Sequence, residues 1–341
     1  MKRIGGILLA ICMCLLIGCG QPLETIKQEN VEIKIGLSFD SFVVERWYRE
    51  QDAFISKAEE LGAEVYVQNA NGEVGRQEEQ IEYLIAEKVD VIVLVATDAD
   101  ALTPLVKKAK NQGIKVIAYD RLVKNADVDL YISFDNEKIG ELLAETVTEQ
   151  VPDNGNIIMI CGSPTDNNVT IIEDAIFKVL NKTNIKVLHK AYAENWLREV
   201  AFDEVSHWVE QHGAIDGIIC GNDDLAGEAV KALAEYRLAG EVCVVGQDAD
   251  LAACQRIVEG TQAMTIFKDV TKLAKEAAEL AVTLAKNEPV QTKQTINDGS
   301  YDIPYRALTP IKVTKENMDE VIIDGGFHLK EDVYLNMMDK E

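Results

Sequence analysis

The chain is short of the residues that mark nucleic-acid, metal or redox proteins. Its 341 residues hold 34 Lys+Arg against 58 Asp+Glu, a formal charge of -24 at pH 7. Such an acidic chain repels a phosphate backbone instead of neutralising it, which argues against nucleic acid as a partner. Histidine is scarce: His189, His207, His212 and His328 fall in a strand, on one helix and in the tail, with no nucleophile motif near them. HExxH, GxSxG, Walker and GxGxxG patterns are all missing, so neither an enzyme nor a bound cofactor or metal is expected. Beyond residue 19 only Cys161, Cys220, Cys243 and Cys254 remain, without CxxC spacing. The first three sit inside apolar strand-like runs, where a thiol behaves as a small buried hydrophobe; a disulfide is the lesser reading.

Long apolar runs are also absent after residue 17, and what is there at the start reads as an address. Lys2 and Arg3 precede an apolar stretch from Ile4 to Ile17. At about 1.5 Å per residue it is too short to span a ~30 Å hydrocarbon core, but it suits the core of a signal peptide. It ends in Leu16-Ile17-Gly18-Cys19, the small-residue-then-cysteine pattern of a bacterial lipobox. The expectation is a signal peptide over 1–18, a lipidated Cys19 that holds the protein on the outer side of the cell membrane through its acyl chains, and a polar tether over 19–30. A plain secretory signal or a short anchor, with an accidental cysteine, is the alternative.

From Val31 onward, apolar runs alternate with amphipathic stretches, the rhythm of parallel strands covered by helices on both faces. Strands are predicted at 32–38, 63–69, 90–96 and 114–120, then at 156–162, 185–191, 216–222 and 242–248. Helices are predicted at 46–61, 77–87, 101–112, 138–150, 225–235 and 269–286, with Gly62, Gly113 and Gly213 closing helices as C′ glycines. At roughly 150 residues per domain the length suggests two domains. Two runs of four strands suggest an α/β protein of two similar lobes, each a doubly wound parallel sheet. The helix from Asp269 reads as crossing back to the first lobe. The expected division is 31–133 plus 269–297 for the N-terminal lobe and 134–268 plus 298–335 for the C-terminal one, joined by a hinge crossed more than once.

Ligands of open parallel sheets bind beyond the carboxyl ends of the strands. There the sequence places Asn69, Thr97-Asp98, Asp120-Arg121, Asp166-Asn167-Asn168, Asn222-Asp223 and Gln247-Asp248, with Arg46-Trp47 after the first strand, Trp196 in a later loop and Lys268 ending TIFK. Carboxylates, amides and cations in this mixture offer the paired donors and acceptors that adjacent hydroxyls require, and a tryptophan face can pack on the C–H face of a pyranose. Taken singly, an Asn or Asp at such a junction is more commonly a helix N-cap, and Arg121 beside Asp120 a surface pair. Capping accounts for neither the arginines nor the lysine nor the tryptophans. Trp208, inside an amphipathic helix, reads as core.

Long stretches of the chain resemble the periplasmic sugar-binding proteins of the ribose-binding type: ERW (45–47), VQNANG (67–72), AYDR (118–121), YISFDNEKIGEL (131–142), GSPTDNN (162–168), GQDADLA (246–252) and GTQAMTIFK (260–268). The resemblance spans 31–329. It implies a type I binding-protein fold and a monosaccharide ligand, D-xylose or a close relative, held by Arg46, Trp47, Arg121, Asp166, Asn168, Trp196, Asn222, Asp248 and Lys268. Asp120 comes from the wider sugar-binding group. It further implies closure about the strands near 133–136, Lys268 and the tail segment near Ser300, with the two tryptophans sandwiching the ring. The implied partner is an ABC importer permease or, alternatively, a membrane sensor kinase or chemoreceptor. The sequence departs from the pattern at FDSFVV (39–44) and at Asp269, which stands where the family has proline. A related sugar-responsive repressor would need a basic helix-turn-helix where this chain has its leader.

Overall fold

The computed structural model describes residues 33–340 apart from residue 214. The leader, Cys19 and the tether lie outside the described residues. Among those described, no helix is long and apolar enough to cross a membrane.

The chain runs β1 (Ile33–Phe39), α1 (Arg46–Glu60), β2 (Ala63–Asn69), α2 (Val74–Ala86), β3 (Val91–Leu94), α3 (Thr103–Asn111), β4 (Lys115–Tyr119) and β5 (Leu130–Phe134). It continues through α4 (Asn136–Gln150), β6 (Asn156–Cys161), α5 (Asn167–Leu180), β7 (Lys186–Tyr192), α6 (Glu199–His212), β8 (Gly217–Cys220), α7 (Asp223–Glu235) and β9 (Cys243–Val245). It ends in α8 (Leu251–Glu259), β10 (Thr265–Phe267), α9 (Val270–Ala285), β11 (Gln294–Asn297), β12 (Asp302–Leu308) and β13 (Ile311–Val313). A larger sheet has the order β11-β12-β5-β4-β3-β1-β2 and a smaller one the order β7-β6-β8-β9; β10 and β13 pair antiparallel as a two-stranded piece. Apart from the antiparallel β11–β12 hairpin, the strands of both main sheets pair in parallel.

Helices cover both faces of the larger sheet, so its central strands are continuous apolar runs: VIVL of β3 and LYISF of β5 are buried throughout. Edge strand β7 alternates exposed and half-buried residues instead. On α1 the inward positions Trp47, Glu50, Phe54 and Ala58 recur at helical spacing. Half of the residues that α9 buries are alanine: Ala274, Ala277, Ala278 and Ala281. Gly62, Gly113 and Gly213 do follow helices, with φ of +82°, +84° and +84°.

The chain passes between the two sheet systems three times: after β5, between β10 and α9, and between β12 and β13. The last passage corrects an expectation. The crossing lies after β12 and not at Ser300, where Asp298 Oδ1 accepts from the Ser300 and Tyr301 amides and Gly299 takes a φ of +110°, folding the segment into the tight turn of the β11–β12 hairpin. β12 then pairs with β5, so 302–308 complete the larger sheet and do not belong with the second lobe.

Cys161, Cys220 and Cys254 are buried and Cys243 half-buried, all with free thiols. Burial pushes the Cys161 and Cys243 thiols up to about 12, which keeps them un-ionised and inert. Trp208 is half-buried and stacks on His212, with ring centroids 4.1 Å apart.

Candidate functional site

Each sheet has a point where strand order reverses, between β1 and β3 in the larger and between β6 and β8 in the smaller. A crevice opens at such a point beyond the strand ends. The two crevices meet in a pocket lined by buried side chains, whose free cavity is about 30 Å³. All ten residues expected at the site, Arg46, Trp47, Asp120, Arg121, Asp166, Asn168, Trp196, Asn222, Asp248 and Lys268, line it. Val44, Asn136, Ile172 and Gln247 line it as well.

On the larger-sheet side, Arg46 opens α1 and Asp120-Arg121 follow β4. Arg46 Nη2 donates to Asp120 at 2.9 Å, Nε to Glu50, and Nη1 lies 3.7 Å from Asp248. Arg121 Nη1 reaches Asp40 at 2.7 Å and its Nε lies 2.9 Å from Asp166, across the cleft. Each of these side chains is buried. Burial alone would lower the Arg46 guanidinium, but Asp120, Glu50 and Asp248 reverse that and raise it well above its ordinary value. Burial would likewise raise Asp120, and the cations Arg46, Lys268 and Arg121 outweigh it and hold that carboxyl below its usual range. Burial raises Asp166, against the pull of Arg121. Glu50, below Arg46, is pushed up to about 7 by burial, with Arg46 opposing, and accepts a hydrogen bond from the Tyr119 hydroxyl.

The backbone at the pocket is unusual. Asp120, Trp196 and Asp248 all have positive φ, of 62°, 58° and 111°. Asp120 is fixed there because its carbonyl accepts from Tyr131, Ser133 and Asn168 at 2.8–3.0 Å. Strain of this kind persists only where the surroundings over-determine it, and it concentrates at ligand clamps.

On the smaller-sheet side, the Trp196 ring lies against Gly162 and Gly221, at the ends of β6 and β8. A Cβ on Gly162 would fall inside that ring, so only glycine admits the indole here. Asp166 and Asn222 both line the pocket and cap helices: Asp166 accepts from Asn168 N, and Asn222 Oδ1 from Leu225 N at 2.9 Å. Capping and site-lining are thus not alternatives at these positions. Lys268 Nζ pairs with Asp248 Oδ1 at 2.7 Å. Several buried polar atoms have no protein partner, among them Trp47 Nε1, Trp196 Nε1, Asn222 Nδ2 and Gln247 Oε1.

Contacts close the cleft on either side of this pocket. Thr165 donates from its hydroxyl to Thr97 O and accepts from Ala99 N, and Asn136 and Tyr131 both donate to Asn168 Oδ1. Arg49 stacks on Phe327 and donates to its carbonyl at 3.1 Å. The residues that sequence reasoning did not single out are Asp40, Glu50 and Tyr119, which brace the arginines. Among the described residues no cluster of three or more His, Cys, Asp or Glu is arranged to hold a metal ion.

A periplasmic binding protein domain model matches residues 35–289. The chain belongs to the periplasmic binding protein family. It is 43% identical over 308 residues to the D-xylose-binding periplasmic protein of Haemophilus influenzae, covering 89% of this chain and 92% of that one. With the D-xylose-binding periplasmic protein of Escherichia coli it shares 42% identity over 331 residues, covering 96% and 98%. Among solved structures it is similar to an ABC transporter solute binding protein from Clostridium phytofermentans with bound β-D-glucose, with a TM-score of 0.80, 26% identity, and coverage of 88% and 99%. These relatives are binding proteins and not enzymes.

Proposed function

We propose that the chain captures D-xylose, or a closely related monosaccharide, in the interlobe pocket and delivers it to an ABC importer. The observation that carries this reading is charge balance. Arg46, Arg121 and Lys268 face Asp120, Asp166 and Asp248 in the lining, and every cation already has a carboxylate within 2.9 Å. A pocket neutralised from within has no use for an anion or a cation, whereas its many fixed oxygens and N–H groups suit a neutral polyol. Trp47 and Trp196, one from each side, supply the faces for the sugar ring. The names of the xylose-binding relatives favour the pentose.

A neutral hydrogen bond contributes about 0.5–1.5 kcal/mol net, so micromolar affinity requires many such contacts together with stacking. Rotation of the lobes about the three chain crossings closes the site, and a permease that engages the closed form is driven by occupancy because sugar binds that form better. Cys19, as the lipid-bearing residue, keeps the protein at the outer membrane face of the permease.

Calorimetric titration of the purified protein against a panel of pentoses and hexoses tests the ligand: saturable binding is expected for D-xylose, and binding of another sugar with none for xylose overturns the assignment. Cys19→Ala tests the anchor. It is expected to move the protein from the membrane to the soluble fraction, and unchanged membrane association refutes lipidation at that residue.

A further inference from the structure

The smaller-sheet wall contains two amides whose hydrogen bonding is half finished. Asn222 and Gln247 follow the adjacent, paired strands β8 and β9, and Asp223 N donates to Gln247 O at 2.9 Å, tying the two loops together. Both side chains line the pocket and are only 2% and 3% exposed. Asn222 commits its oxygen to the Leu225 amide, which leaves the Nδ2 donor without a partner. Gln247 does the opposite. Its Nε2 donates to the Gly221 carbonyl, which can only accept, so the orientation of the amide is settled and the free atom is the acceptor Oε1. Protein interiors rarely leave such atoms unpaired, since the desolvation cost is then uncompensated.

We propose that Gln247 is a specificity-determining ligand contact: its Oε1 accepts a hydrogen bond from a ligand hydroxyl, on the wall that also carries the Asn222 Nδ2 donor. A hydroxyl both donates and accepts, so one hydroxyl, or a vicinal pair, completes both amides. A ring oxygen, an ether or a carboxylate offers no hydrogen to Oε1 and leaves it unpaired. The amide pair thus selects for a hydroxyl-bearing carbon at this position and rejects the deoxy analogue, because a site built to bond a hydroxyl is left with buried orphans when it is missing. The inference rests on the sugar-binding reading above and adds a residue to it.

The test is calorimetry on the full chain with D-xylose and its monodeoxy analogues, for the native protein and for Gln247→Met, which keeps length and apolar bulk but has no amide. The native protein should lose about 10- to 100-fold in affinity for one particular deoxy analogue. Gln247→Met should bind xylose weaker by a similar factor and no longer discriminate against that same analogue, while still rejecting the others. Equal weakening for xylose and every analogue, or none, overturns the proposal, because a merely structural glutamine would behave so. If circular dichroism shows that Gln247→Met does not fold, Gln247→Ala serves in the same comparison. Failure of the native protein to bind any sugar is a different result, and it sinks the sugar-binding reading itself along with this one.

Discussion

The two walls of the pocket are finished to different degrees. On the larger-sheet wall the charges are neutralised within the protein: Arg46 bonds Glu50 and Asp120, and Arg121 bonds Asp40. The smaller-sheet wall has one ion pair, Lys268 with Asp248, and adds an indole and two amides with atoms left over; on the larger-sheet wall Trp47 Nε1 and Asp40 Oδ1 are left over as well. The arginines are therefore held by carboxylates before any ligand arrives, whereas the amides are, on the proposal above, left for the ligand to complete. On that proposal, differential completion of this kind would let occupancy favour the closed arrangement.

The strongest way to break this contrast is Arg121→Met. It strands Asp40 and Asp166 as buried carboxylates, and breaking such a pair costs about 3–5 kcal/mol of stability. Urea unfolding should show that loss with no sugar present; a change under about 1 kcal/mol would mean that the wall is solvated and not pre-organised. Gly162→Ala acts on the other wall. Its Cβ intrudes on the Trp196 ring, and forcing an overpacked group aside costs about 1–3 kcal/mol, here taken mainly from affinity because the indole faces the pocket. Sugar titration should show weakening of roughly 5- to 100-fold. A variant equal to the native protein in affinity would remove Trp196 from the binding surface.

The smallest expected effect concerns Glu50. Its folded value, about 7, lies above the ordinary 4.5, so between those two values the folded protein keeps a proton that the unfolded chain has released. Its contribution to stability is thus fully present below the lower value and declines as pH rises through the higher one. Asp223, also raised by burial to about 7, adds a decline in a similar window. Glu50→Gln should flatten the fall in melting temperature across that range without abolishing it. An unchanged slope would place the titration elsewhere.

Much of the site was legible because it is organised by strands, and strands announce themselves. Runs such as DVIVLVA and IKVIAYD leave little doubt where a carboxyl end falls, and the polar residues there converge as the topology requires. The braces were hidden for a different reason. Glu50, one turn after Arg46, reads as half of an exposed helical pair, and only the folded position of α1, which brings it under the Tyr119 hydroxyl at the end of β4, makes it a buried acid beneath the pocket. Gln247 appears at a strand end, but which of its atoms is free depends on the position of the Gly221 carbonyl. The partnership of β12 with β5 joins Tyr305 to Tyr131, a separation across which local patterning carries no signal.

That partnership fixes an order of events during synthesis. The inner edge of β5 can be covered only when residues 302–308 exist, by which time the whole smaller sheet has been made. Closing so long a loop is slow compared with local helix and strand formation. The larger sheet, although its strands come first in the chain, is completed after the smaller one, with only β13, which pairs with β10, and the tail still to follow.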